Sequence, residues 1–256
     1  MKIELLPVVK HEQLTPTVYA LHLRSKYIAD TIQPGQFVNI KVQQSNYPLL
    51  RRPFSVASKE DDTIAIIFDV VGEGTHILSK KEPGDIIDVL GPLGRPFTMP
   101  GLESIPVLVA GGLGMAPMPI LTQTLAGHGI TNVTTFLGAR SKDYLIDYKL
   151  KNVHYATDDN SKGFHGTVVA LLDAWLSAVE EKKVTVYACG PNPMLRALQI
   201  TLRKKSVQGQ VSLECVMACG VGLCQGCPVA SADSDRKFKL VCKDGPVFDI
   251  HSVMIQ

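Results

Sequence analysis

The sequence has no cysteine before Cys189, a single tryptophan, and no apolar run as long as the roughly 20 residues a helix needs to span a bilayer. The first absence excludes a disulfide framework, which spreads its bridges across a small secreted chain. The last removes any expectation of a spanning helix. Charge of one sign is missing too: 26 Lys and Arg face 24 Asp and Glu, a formal net charge of +2 with both signs interspersed. Without a basic block there is no reason to expect nucleic acid or a membrane surface as partner. Met1-Lys2-Ile3-Glu4 carries charge at once and lacks the apolar stretch of a signal peptide. The expectation is a soluble, cytoplasmic protein. No internal repeat and no low-complexity tract interrupts it.

What is present suits a globular chain: 45% hydrophobic and 20% charged residues over 256 positions, room for two domains and a small appendage. Residues 1–100 read as strands punctuated by Gly and Pro. Phe37–Val42 follows Pro34-Gly35, Thr63–Val71 is β-branched and apolar, and Ile86–Leu90 runs from Pro83-Gly84 to Gly91-Pro92. Such spacing predicts a small barrel or sandwich. In residues 101–210 strands alternate with helices: Val107–Ala110, a helical stretch to Leu125, Val133–Leu137, a helix over Val168–Val179, Val184–Tyr187 and an amphipathic stretch Met194–Lys204. That alternation predicts a parallel sheet with crossover helices. Trp175 falls at helical spacing with Leu171, Leu172 and Val179 and reads as core, while Glu180-Glu181-Lys182-Lys183 reads as a solvated helix end. Residues 211–256 form a short cysteine- and glycine-rich third segment.

Five of the six cysteines crowd into that segment. Cys219, Cys224 and Cys227 form a C-x4-C-x2-C run, and Cys242 follows after a polar loop. This is the plant-type [2Fe-2S] spacing. Three thiolates on one tight loop wrap a cluster, and Gly220, Gly222 and Gly226 are expected to let the backbone bend with φ > 0. Their small size lets amide N–H groups approach the sulfurs. The alternative is an all-cysteine structural zinc site, although zinc ribbons pair two C-x2-C knuckles and only one is present. Cys215 is the spare thiol and reads as a small buried hydrophobe.

Two further sets of residues suggest nucleotide cofactors. Arg52-Pro53-Phe54-Ser55 resembles the R-x-[YF]-[ST] flavin motif of the ferredoxin–NADP reductase superfamily. Gly72-Glu73-Gly74-Thr75-His76 downstream starts a helix whose free N–H groups favour a pyrophosphate. Gly111-Gly112-Leu113-Gly114, after an apolar strand, is a strand-to-helix turn that admits a dinucleotide phosphate, or else a plain tight turn. Cys189-Gly190-Pro191 resembles the C-G-P motif of the same superfamily, in which the cysteine lies beside the nicotinamide. Read without that motif, Cys189 is a small buried residue at a strand end. Thr157-Asp158-Asp159-Asn160-Ser161 resembles the loop near the bound nicotinamide nucleotide, with Asn160 where glycine is usual, a mild swap because Asn tolerates the left-handed conformation.

In this order the motifs resemble, over essentially the whole chain, the electron-transfer subunits of type B dihydroorotate dehydrogenases. The most specific piece is Leu213-Glu214 … Met217–Gly222 … Cys242–Phe248. The resemblance implies a β-barrel FAD domain, an α/β parallel-sheet NAD domain and a C-terminal [2Fe-2S] subdomain. It implies FAD contacts at Arg52, Pro53, Phe54, Ser55, Asp69, Val70, Val71, Gly74 and Thr75, and cluster ligands at Cys219, Cys224, Cys227 and Cys242. For the nicotinamide dinucleotide it implies Gly111, Gly112, Gly114, Asp158, Gly190 and Pro191, with Cys189 beside the reacting ring. The implied partner is a separate FMN-containing catalytic subunit in an α2β2 heterotetramer, with electrons passing from dihydroorotate through FMN, [2Fe-2S] and FAD to NAD+ in pyrimidine (UMP) biosynthesis. Two other readings stay open: a related reductase subunit serving ferredoxin, sulfide or hydrogenase chemistry, and a zinc-stabilised binding module without flavin. Residues alone do not settle NAD against NADP, since Arg140 follows a strand where a 2′-phosphate is read.

Overall fold

Short β-branched stretches broken by Gly and Pro turns build two sheets of different kind. The structure, a computed structural model, describes residues 1–101, 103–179, 183–233 and 236–256. The expected solvated helix end falls largely on residues 180–182, outside the described residues.

The first sheet is a closed antiparallel barrel. Its strands are β1 (Lys2–Gln13), β2 (Val18–Arg24), β3 (Phe37–Lys41), β4 (Arg52–Glu60), β5 (Thr63–Asp69) and β6 (Ile86–Leu93), in the order β1-β2-β5-β4-β3-β6. Alternation makes the barrel. On β3, Val38 and Ile40 enter a core with Val56, Ile64, Ile66, Phe68 and Val89, while Phe37 and Asn39 take the other face. Each such aliphatic side chain contributes about 1.5–3 kcal/mol when fully buried. Two short helices decorate the barrel. Helix α1 (Lys26–Thr31) starts where the Ser25 hydroxyl accepts the Ile28 N–H at 3.0 Å, and α2 (Glu73–Leu78) follows β5.

The second sheet has the order β10-β9-β8-β7-β11-β12-β15. Strands β7 (Ile105–Gly111), β8 (Thr134–Ala139), β9 (Val153–Thr157), β10 (Phe164–His165), β11 (Val184–Cys189) and β12 (Gln208–Ser212) are parallel. Helix α3 (Met118–Gly127) lies on one face; α4 (Val168–Ala178) and α5 (Asn192–Lys204) cover the other. Strand β7 shows why both faces are covered: Val107 and Val109 pack toward α4 and α5, Leu108 and Ala110 toward α3. Trp175, expected as core, is half-buried and packs on the core's edge, edge-on to Phe136 with ring centroids 5.5 Å apart. The glycine-rich turn does not open α3 directly. A 3-10 turn, Gly112–Met115, comes first, and Pro117 marks the start of the α-helix.

The cysteine-bearing segment folds back onto this sheet. Strands β13 (Pro228–Ser231), β14 (Phe238–Leu240) and β16 (Val253–Met254) make a small antiparallel sheet of their own. Between them in sequence, β15 (Val247–Asp249) leaves to pair with β12, Val211 opposite Phe248. Among the described residues no helix is long and apolar enough to cross a membrane.

Candidate functional site

Beyond β7 the chain runs to β8, β9 and β10 on one side; beyond β10 it returns to β11 and β12 on the other. The strand order therefore reverses between β7 and β11, and their carboxyl ends open a crevice there. Small residues let the two ends approach. A Cβ on Gly114 would stand 2.3 Å from the Cys189 carbonyl oxygen and 2.6 Å from Gly190 Cα, and one on Gly111 would stand 3.0 Å from Pro191 Cδ. Gly111, Gly114, Gly190 and Pro191 thus form one contact, with Gly112 beside it at φ +53.

Against this crevice lies a cleft of about 230 Å³ between barrel and sheet. Its barrel wall includes Pro53, Phe54, Ser55, Asp69, Val71 and Thr75; the other wall includes Leu113, Ala116 and Ser212 to Cys215. Strands β4 and β5 are neighbours in the barrel, so the Arg52–Ser55 motif and Asp69–Val71 meet although they are distant in sequence. Phe54 packs on Phe68, centroids 5.8 Å apart. The Arg52 side chain lies over the start of α2, its Nε 2.7 Å from where a Gly74 Cβ would be. The Thr75 hydroxyl accepts N–H bonds from Val71 at 3.0 Å and Gly72 at 3.2 Å and so shapes that turn, while the Val70 N–H goes to the Thr17 carbonyl at 2.9 Å.

Cys189 ends β11 fully buried, and the cleft-lining residue in front of it is Glu214. The thiol donates to Glu214 Oε1 at 3.8 Å. Burial, then the Glu214 charge, pushes the thiol well above its ordinary range, so it stays protonated. Solvent reaches Glu214 through the cleft, yet the surrounding protein raises its carboxyl. Local spacing gives no hint of Glu214 as a site residue; the pairing of β11 with β12 puts it there. Asp158, by contrast, is exposed at the end of β9 and does not line the cleft, and Arg140 is exposed at the end of β8. Asn160 takes the left-handed conformation expected of it, φ +61.

The four expected cysteine ligands gather in two pairs. Cys227 Sγ and Cys242 Sγ lie 3.2 Å apart, and Cys219 and Cys224 are joined by the Cys224 N–H, which donates to Cys219 Sγ at 3.4 Å. Among the described residues no three metal-type side chains converge on one point. Four cysteine thiols brought to one loop region are a donor set that fits a [2Fe-2S] centre, which takes two thiolates per iron. Amide donors surround the sulfurs: Val221 and Cys224 N–H each reach Cys219 Sγ at 3.4 Å, and Gly226 N–H reaches Cys224 Sγ at 3.4 Å. Although burial opposes them, those amides hold Cys219 down at about 6. Burial, followed by Cys227, pushes Cys242 up to about 12 and Cys215 up to about 11. Gly220 and Gly222 adopt φ +71 and +84 as expected, but Gly226 does not; the left-handed residue there is Gln225, φ +58, which frees the Gly226 amide to face Cys224.

Comparison with known proteins follows the same lines. A family model described as the iron-sulfur cluster binding domain of dihydroorotate dehydrogenase B matches residues 214–254. The electron transfer subunit of dihydroorotate dehydrogenase B (NAD(+)) from Desulforamulus reducens is 41% identical over 243 residues, covering 92% of each chain. The protein of the same name from Geobacillus thermodenitrificans is 38% identical over 98% of each. Among solved structures, a chain of an NADH-dependent reduced ferredoxin-NADP oxidoreductase superposes with a TM-score of 0.85 at 32% identity, covering 98% of this chain and 90% of that one. A ferredoxin reductase of carbazole 1,9a-dioxygenase, at 24% identity and TM-score 0.66 over 80% of this chain and 66% of that one, shares the fold.

Proposed function

Because the chain belongs to the family of dihydroorotate dehydrogenase B (NAD(+)) electron transfer subunits, we propose that it carries electrons between a dihydroorotate-oxidising catalytic subunit and NAD+ in pyrimidine biosynthesis. The observation that carries this reading is the cleft that barrel, sheet and cysteine segment share. Its walls are the Arg52–Ser55 strand, the Leu113 and Ala116 turn at the sheet's switch point, and the Ser212–Cys215 segment that leads into the cysteine loop. Three carriers can then stand within a short distance of one another.

FAD, NAD and a [2Fe-2S] cluster are the cofactors of this reading. A bound flavin exchanges a hydride pair with nicotinamide and single electrons with an iron–sulfur centre, which is why the three belong together. Arg52 supplies the fixed positive charge for the diphosphate at the start of α2, where Gly74 leaves room for its side chain. Pro53, Phe54, Ser55, Asp69, Val71 and Thr75 form the flavin wall, and Val70 between them packs its side chain against the barrel core and offers the flavin only backbone. Gly111, Gly112, Gly114, Gly190 and Pro191 let a dinucleotide backbone approach the switch point, and Asp158 stands farther out for its distal half. Cys189 and Glu214 close the floor as a neutral thiol against a carboxyl group. Cys219, Cys224, Cys227 and Cys242 hold the cluster. No side chain has to act as acid or base, because the dihydroorotate chemistry belongs to the partner.

The barrel of residues 1–100 serves flavin, residues 101–210 serve the nicotinamide dinucleotide, and residues 211–256 serve the cluster. The partner is an FMN-containing catalytic subunit, the assembly an α2β2 heterotetramer, and the compartment the cytoplasm. The likeness to a ferredoxin-linked reductase supports a second reading, a subunit serving ferredoxin instead of dihydroorotate. Flavin, iron and acid-labile sulfide are to be counted on protein purified without air and with its partner coexpressed. One FAD, two irons and two sulfides per chain, with NADH–acceptor activity retained and dihydroorotate oxidation absent when the partner is removed, is the expected result. Zinc without flavin overturns both readings; a loaded chain that couples to ferredoxin and never to dihydroorotate selects the second.

A further inference from the structure

The outer face of β3 meets the cysteine loop through a polar residue. Asn39 is fully buried, with neighbours Phe37 and Leu93 packed into the same core as Met217, Cys227 and Cys242. Its side-chain Nδ2 donates to the Cys219 carbonyl at 3.5 Å and stands 2.5 Å from where a Cβ on Gly220 would be. The loop therefore needs glycine at 220 for the amide to reach it. Asn39 Oδ1 has no hydrogen-bond partner in the protein. A buried acceptor left unpaired costs about 1–3 kcal/mol, a cost that an apolar residue of the same size avoids. Packing alone thus gives no reason for an amide here; what it adds is a directed donor onto the first cysteine of the loop.

The rest of Asn39 is held firmly. Its carbonyl accepts Arg51 Nη1 at 3.3 Å, and the same guanidinium binds the Asp88 carbonyl at 3.2 Å and Asp88 Oδ1 at 2.8 Å. Across the ladder it pairs with Pro53 of the Arg52–Ser55 strand. One residue accordingly ties the strand that walls the cleft to the peptide that leads out of Cys219. Fixing that carbonyl fixes the Cys219–Gly220 peptide plane, and with it the approach of the Val221 and Cys224 amides to Cys219 Sγ. Hydrogen bonds to ligand sulfur raise the reduction potential of an iron–sulfur centre by stabilising its more negative form.

We propose that Asn39 is a positioning residue of the cysteine loop, fixing the amide donors on Cys219 and thereby setting the potential of the cluster held there. The proposal rests on the cofactor reading above. Its test is a redox titration followed by electron paramagnetic resonance on the anaerobic complex with its partner, comparing wild type with Asn39→Leu and Leu93→Ala. Leu93 also touches the Gly220 position, at 3.7 Å, but makes no hydrogen bond there. The expected result is a lower potential and altered g-values in Asn39→Leu, with a several-fold smaller reduced fraction at the wild-type midpoint and full FAD content. Leu93→Ala should lower the melting temperature and leave both readouts in place. Where Asn39→Leu does not accumulate, Asn39→Ala removes the same donor without crowding and is read identically. Unchanged potential and g-values in the Asn39 variants, or equal shifts in Leu93→Ala, overturn the proposal. A wild-type complex without iron and sulfide overturns the cofactor reading instead, so the two failures are distinguishable.

Discussion

Gly114→Ala isolates one physical cause at the switch point. Gly114 has no positive φ, so alanine brings no backbone conformational penalty. What it brings is a methyl group 2.3 Å from the Cys189 carbonyl oxygen and 2.5 Å from its carbonyl carbon. An ordinary contact at such a pair is about 3.5 Å, so β11 and the turn after β7 must separate by roughly 1 Å. Neither is a flexible side-chain end: Cys189 is backbone at the end of the parallel ladder with β7, and Gly114 is backbone of the 3-10 turn that follows it. Overpacking of this kind costs about 1–3 kcal/mol and sometimes more, and the upper end applies because no rotamer relieves it. For a chain of this size that corresponds to an apparent melting temperature lower by about 6–12 °C. Because the crevice for the dinucleotide widens while the barrel is untouched, FAD content should stay near wild type as the KM for NADH rises. Differential scanning fluorimetry and an NADH–ferricyanide assay read the two effects. Gly112→Ala is the matched control: it meets no atom within 4 Å but must adopt φ +53, which costs about 1–2 kcal/mol by conformation alone. A Gly114→Ala chain that melts with wild type and keeps its KM refutes the close-approach argument.

Serine at Cys219, Cys224, Cys227 or Cys242 should each abolish iron and sulfide binding, whereas Cys215→Ser should retain both; iron and acid-labile sulfide assays decide, and retention by any of the four removes that ligand. Arg52→Ala should weaken FAD about 10- to 100-fold, the worth of a charge-assisted contact of about 1.5–3 kcal/mol, measured by flavin release on dilution. Burial, then the charges of Lys10 and Lys149, lowers the His22 imidazole below its ordinary 6.5. The unfolded chain therefore takes up its proton first, so this stability is complete above about pH 6.5 and is lost as pH falls. His22→Gln should melt with a smaller drop between neutral and mildly acidic pH than wild type, and an unchanged drop argues against the assignment.

Much of this was legible along the chain because it is local. The runs at 37–42, 63–71, 86–90 and 107–110 fall on strands, since β-branched residues flanked by Gly and Pro have few other options, although β3 stops at Lys41 and β5 at Asp69. The cysteine spacing needed only a count. Strand β1 is harder to read: Ile3 and Leu5 are apolar yet 63% exposed, so hydrophobicity there does not mark the buried face. Asn39 looks like any polar residue on an alternating strand, and its burial comes from a loop 180 positions away. Glu214 gains its place because β12, which ends two residues before it, lies beside β11, and the left-handed residue expected at Gly226 is Gln225 instead. Each of these depends on what tertiary packing brings alongside, which no spacing rule contains.

The excursion of β15 bears on how the chain is made. Until residues 247–249 arrive, β12 is an open sheet edge with unpaired N–H and C=O groups at Gln210 to Ser212, the kind of edge that pairs with neighbouring chains. A nascent chain on the ribosome synthesises all of its loop cysteines before the strand that seals that edge. Protection of that edge therefore comes late in synthesis, and a chain that ends before Val247 should be seen in cells as insoluble protein. For engineering, the same pairing means the cysteine segment cannot be cut away or exchanged as a cassette without supplying a substitute for Val247–Asp249.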